Sequence, residues 1–275
     1  GTPLTYHYVK KQSDLPNPVI HTFNLLKYDA AIIGNHEFNY GLPILEKGIS
    51  EAQFPFLSAN ILDSQTKKPY FGIPYTIKII AEGLKVAILG LTTPYIPNWE
   101  KAEHIQGLEF EDAVESAKKW VPLIKKNEDP HLFIISYHGG FERDLKTGEP
   151  TEALTGENQA YQLCHEVEGI DVLLTGHQHR LFADEVNGVT VIQPGNSGGT
   201  IGRVDLEFTL TPAKNWECIS KKASLVSVEK WNEDNEIVKV NQPYERETQK
   251  WLDQPIGHIE GDMIIKDPFQ ARIME

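Results

Sequence analysis

A chain of 275 residues can bury a full core as one large domain, and with 40% hydrophobic and 24% charged residues it has the composition of an ordinary globular protein. The formal charge of -13 argues against a nucleic-acid polymer as main partner, because phosphate backbones are met by basic surfaces. A small phosphorylated ligand stays compatible with it, since bound cations can supply the positive charge that the surface lacks. Cys164 and Cys218 are too few for a disulfide framework or a structural zinc site. No apolar run approaches the ~20 residues that cross a bilayer.

In chain order, residues 28–33 (YDAAII), 54–60 and 85–91 (KVAILGL) read as strands. Residues 110–126 read as an amphipathic helix with Ala113, Ala117, Trp120 and Ile124 along one stripe. A strand at 132–137 (LFIISY), a helix at 157–166 and strands at 172–175 and 189–193 follow. From Arg203 the pattern is strand alternation (RVDLEFTL), then a polar stretch over 231–244, then a linker-like end with KDPF at 266–269. Strands alternating with helices predict an α/β domain.

Three of the strands deliver histidine at their carboxyl ends. YDAAII runs into GNHEFNYG, LFIISY into HGG, and DVLLT into GHQH. That edge of an α/β sheet is where ligands bind. Amide oxygen and imidazole nitrogen suit divalent zinc, manganese or iron, so Asn35, His138, His177 and His179 are the candidate ligands. Two residues apart in an extended GHQH segment, His177 and His179 would face the same way. They could then serve two ions ~3.5–4 Å apart that share an attacking hydroxide. His36, beside Asn35, can stay off the metal and act on the phosphate or the leaving oxygen.

GNHE, an isolated His before GG, and GHQH, in this order and each after a strand, resemble three motifs of the calcineurin-like metallophosphoesterase superfamily. GTPLTYHY and GNHEFNYG resemble more closely its 2',3'-cyclic-nucleotide 2'-phosphodiesterase/3'-nucleotidase branch, within the 5'-nucleotidase family. The resemblance implies a four-layer αββα sandwich, with residues 1–262 as catalytic domain and 263–275 as the start of a linker to a C-terminal nucleotide-binding domain. It implies two divalent ions, with Asn35, His138 and His177 on one and His179 on the other, and His36 as the catalytic histidine. An Asp-x-His and a Gly-Asp motif, holding the remaining ligands, are expected upstream of Gly1. Nucleotides or other small phosphate esters are the expected substrates. An extracytoplasmic location, in periplasm, cell wall or medium, is implied by resemblance alone.

At Asn39 the classical 5'-nucleotidases carry an aspartate that orients and charges the imidazole. An amide can orient the ring but cannot stabilise an imidazolium as a carboxylate does. This points to hydrolysis of nucleoside 2',3'-cyclic phosphates and 3'-nucleotides. A 5'-nucleotidase or UDP-sugar hydrolase, and a binding module that kept the fold and lost its metals, are the alternatives.

His7, His21, His104, His131, His165 and His258 lack such context and read as surface or structural residues. Glu37 and Phe38 read as packing beside the motif, and Glu142, Arg143 and Asp144 as a solvated loop that could rim the site. The five tryptophans read as core or surface patches. Gly195 to Gly199 (GNSGG) reads as a turn between strands or as a phosphate cradle.

Overall fold

The computed structural model describes residues 2–80, 83–213 and 215–258. Its elements are helices α1 (Pro3–Lys11), α2 (Pro18–Leu25), α3 (Leu42–Glu51), α4 (Ala113–Glu128), α5 (Ala160–Glu166) and α6 (Asn235–Leu252). The strands are β1 (Ala31–Ile32), β2 (Phe56–Leu57), β3 (Ile61–Asp63), β4 (Tyr75–Ile80), β5 (Leu84–Thr92), β6 (Leu108–Phe110) and β7 (Leu132–His138), followed by β8 (Val172–Thr175), β9 (Leu181–Val186), β10 (Val189–Pro194), β11 (Thr200–Leu210) and β12 (Trp216–Ser227).

A six-stranded sheet of order β4-β5-β7-β8-β10-β9 is the main frame. Strands β5, β7, β8 and β10 run parallel, and β4 and β9 close the two edges antiparallel. Side chains alternate across it with the period of two that a strand imposes. Ala87, Leu89, Phe133, Ile135 and Leu173 face α4 and α5, which bury Ala117, Val121, Ile124 and Leu163 against them. The opposite parity, Leu84, Val86 and Leu132, meets Leu206, Phe208 and Trp216 of the antiparallel β11–β12 hairpin.

Further along the same face, Leu57 crosses directly over Gly90, where a side chain would collide with the Leu57 backbone. This contact seats the parallel pair β1–β2 on the main sheet. Beyond that pair, α2 and α3 bury Ile20 and Leu45 with Ile33, Phe38 and Phe56. The order is therefore helix, sheet, β layer, helix, as expected for an αββα sandwich. Among the described residues the inner β layer consists of separate two-stranded pairs rather than one continuous sheet.

The strands expected over 28–33 and 54–60 shrink to two residues each. Helix α6 replaces the irregular polar stretch expected over 231–244. The Asp234 side chain caps it by accepting from the N–H groups of Glu236 and Ile237, and the helix tolerates Pro243 inside. What holds it is distant in sequence: Asn241 donates to Thr22 Oγ1 at 2.9 Å, Tyr244 to Pro16 O at 2.9 Å, and Trp251 stacks on Tyr6. Helix α1, not expected either, supplies Tyr6 and opens at Thr2, whose hydroxyl accepts from Thr5 N–H. The linker start expected over 263–275 lies outside the described residues.

Candidate functional site

Strands β7 and β8 are parallel neighbours, so their carboxyl ends lie side by side and carry His138 and the Gly176 to His179 turn to one place. From the other β layer, β1 leads into a one-turn 3-10 helix, Asn35–Phe38. The two layers meet where Asn35 Oδ1 lies 2.8 Å from His138 Nε2. The His138 and His177 rings pack edge to face with centroids 5.3 Å apart. Gly34 is required for this approach, because a Cβ there would stand 2.7 Å from His138 Cε1.

Burial and the mutual repulsion of His138 with His177, His36 and His179 push the His138 imidazole down to about 4. The ring is therefore neutral at physiological pH, the state in which imidazole binds metal.

GHQH is not extended, which corrects the sequence reading. His177 and His179 both sit in the left-handed region at φ 68° and 59°, and Gln178 N–H donates back to Gly176 O at 2.7 Å. Tight coiling, rather than strand alternation, presents the two histidines. Left-handed backbone costs a non-glycine residue free energy and persists only where the surroundings hold it. Gln178 does the holding. Its Oε1 accepts from Phe141 N–H at 2.8 Å, and its Nε2 donates to Phe141 O at 3.0 Å and to Glu152 Oε2 at 2.9 Å. The side chain lies against Gly140, where any Cβ would fall on it, which accounts for a glycine of HGG. His177 Nε2 also meets Glu157 Oε1 at 3.0 Å.

His36 is exposed beside Asn35, and its Nδ1 pairs with Asn39 Oδ1 at 2.8 Å. Asn39 Nδ2 in turn donates to Glu100 Oε1, and Glu100 Oε2 accepts from His104 Nδ1 at 3.2 Å. Trp99, next to Glu100, faces the His177 ring at 5.3 Å and meets Tyr95 edge to face at 5.1 Å.

Glu157, Trp99 and Glu100 are the residues that sequence reasoning missed as neighbours of the site. They lie on loops with no motif, and only the strand ends bring them there. Glu142 is no rim residue. It is 2% exposed and caps α5, accepting from Tyr161 and Gln162 N–H groups at 3.0 and 2.9 Å. The segment from Gly195 to Gly199 forms a turn between β10 and β11, with Ser197 left-handed at φ 56°.

The calcineurin-like phosphoesterase family model matches residues 7–181. The chain belongs to that family. Among known proteins it is 33% identical to the 2',3'-cyclic-nucleotide 2'-phosphodiesterase/3'-nucleotidase of Haemophilus influenzae, over 90% of this chain and 40% of that protein. It is 29% identical to the trifunctional nucleotide phosphoesterase YfkN of Bacillus subtilis, over 96% of this chain and 19% of that protein. Among solved structures, a Staphylococcus aureus protein provisionally described as a 5'-nucleotidase superposes with a TM-score of 0.84 at 34% identity, covering 99% of this chain and 52% of that one. The chain thus spans well under half the length of these two curated relatives.

Members of the calcineurin-like phosphoesterase family use divalent metal ions. The donors of this chain fit that chemistry in part. Asn35 and His138 turn an oxygen and a ring nitrogen toward each other, and His177 packs beside them. Among the described residues no three His, Cys, Asp or Glu side chains form a group that could hold an ion, and the oxygen beside His138 is that of the Asn35 amide. No described helix is long and apolar enough to cross a membrane.

Proposed function

We propose that this chain carries metal-dependent hydrolysis of nucleoside 2',3'-cyclic phosphates and 3'-nucleotides, releasing phosphate and nucleoside. The observation behind the reading is the meeting of Asn35 and His138 at 2.8 Å beside His177, with His36 one residue away. The names of the relatives support nucleotide esters as the substrate class.

Asn35, His138 and His177 would hold one divalent ion, and His179 would contribute to a second. Manganese, zinc and iron all suit oxygen and imidazole donors. Such ions, when bound, neutralise charge on phosphoryl oxygens and lower the pKa of water. The chain's own contribution is to orient and to move a proton. With Nδ1–H engaged by Asn39, His36 keeps Nε2 for the substrate, where the ring in its protonated, imidazolium form can donate to the departing oxygen or offset developing negative charge. Trp99 packs against the His177 ring at the edge of the site.

The amide at position 39 favours the cyclic-phosphodiesterase branch over 5'-nucleotidase. Within this reading the catalytic domain takes in residues 1–262. An extracytoplasmic location fits relatives such as UshA and the 5'-nucleotidases.

The test is hydrolysis of 2',3'-cyclic AMP, 3'-AMP and 5'-AMP by the metal-loaded whole gene product. Preference for the first two is expected. Turnover confined to 5'-AMP would assign the site to a 5'-nucleotidase, and no turnover with any of them would overturn the enzymatic reading.

A further inference from the structure

We infer that Glu100 is a positioning residue for His36, acting through the Asn39 amide. This rests on the assignment of His36 as the residue that meets the phosphate ester.

An asparagine side chain presents an acceptor at one end and a donor at the other, and nothing in the amide itself says which end faces a given neighbour. Here the neighbours decide. Asn39 turns its Nδ2–H to a carboxylate oxygen of Glu100, Oε1, which accepts it. Oδ1 is then left for His36 Nδ1 at 2.8 Å, and that nitrogen must carry a proton. The tautomer is fixed two side chains away from its cause, and Nε2 is left for the substrate, an acceptor in the neutral ring and a donor only once the ring has taken up a second proton.

The Glu100 side chain is 7% exposed. A carboxylate so far out of water is costly unless its oxygens are matched, and both are, by Asn39 Nδ2–H and by His104 Nδ1–H at 3.2 Å. An ordinary packing position would hold an apolar side chain more cheaply. The arrangement also bears on the amide at position 39. A negative charge behind the amide polarises it, so that Oδ1 is a stronger acceptor than in an isolated asparagine. Glu100 thus fixes which end of the Asn39 amide meets His36, while the group in contact with the ring is still an amide and not a carboxylate.

Two backgrounds separate positioning from packing. In the metal-loaded whole gene product, Glu100→Gln removes the charge and can offer either end of its own amide to Asn39. Its expected effect is a fall in kcat of roughly tenfold, the size typical of a lost supporting partner, with KM little changed. In Asn39→Asp the carboxylate accepts from His36 directly and Glu100 becomes a like-charge neighbour. There Glu100→Gln should leave kcat unchanged or raise it. An equal loss in both backgrounds would make Glu100 a packing residue, and no loss in either would remove it from the site's workings.

Nitrogen NMR of labelled histidine reads the same inference without turnover, so it stands apart from the substrate assignment. His36 should be the Nδ1–H tautomer in the unsubstituted protein and a mixture in Glu100→Gln. A His36 that is Nε2–H in the unsubstituted protein would overturn the inference even if hydrolysis were confirmed.

Discussion

Asn35 Oδ1 and His138 Nε2 lie 2.8 Å apart although 103 residues separate them in the chain. The first arrives on the β1 layer and the second on the main sheet, so the site is also the seam between the two β layers. His138→Ala and Asn35→Ala are each expected to lower metal content and to cut turnover at least about 100-fold, since a lost donor weakens binding no less than a lost supporting contact does. Elemental analysis and phosphoesterase assay of the purified variants check this. Full metal content in His138→Ala would place the ion elsewhere.

Trp99 faces His177 at 5.3 Å while remaining 42% exposed, so one part of the indole packs on the site and another meets solvent. Aromatic pairs of this kind are worth about 0.5–1.5 kcal/mol beyond area burial. Trp99→Ala should therefore lower kcat/KM roughly 2- to 12-fold while leaving bound metal in place. Loss of metal in that variant would show that the indole supports the ligand His177 rather than the substrate side.

Gln178 ties the GHQH turn to the loop after β7 through both polar atoms of Phe141 and through Glu152. Gln178→Ala strands a backbone donor and acceptor, which costs about 1–3 kcal/mol where they cannot reach water. For a domain of this size that corresponds to a fall in Tm of roughly 2–12 °C. Differential scanning calorimetry measures it, and an unchanged Tm would mean that the left-handed turn at His177 and His179 holds itself.

The fold was legible where the signal was local. Strands β7, β8 and β10 are short runs rich in apolar residues and bounded by turn residues, and α4 shows its buried stripe in Ala113, Ala117 and Ile124. Asn35, His36, His138 and His177 come together because strand ends dictate it, and that much could be read from the spacing. The conformation of GHQH could not, since hydrogen bonds from Gln178 to a loop 37 residues upstream impose it. Helix α6 escaped for a similar reason: Tyr6, Pro16 and Thr22, more than two hundred residues upstream, hold its buried side. Glu100 and Trp99 belong to no periodic element, and only tertiary placement shows what they touch.

The depressed His138 imidazole makes a prediction about acid stability of the metal-free chain. Its folded value of about 4 lies below the ordinary 6.5, so between these limits the unfolded chain takes up the proton first. The stability that a neutral His138 contributes is fully present above pH 6.5 and is lost as pH falls through 4. A shift of this size corresponds to about 3 kcal/mol at most. Urea unfolding at pH 7 and at pH 4 should show a smaller loss for His138→Asn than for the unsubstituted chain, because the amide has no proton to take up. His177, His36 and His179 stand within electrostatic reach, so some acid sensitivity should survive in the variant. If the two proteins lost equal stability over that interval, the burial and repulsion that hold His138 neutral would be relieved in solution before they could act on folding.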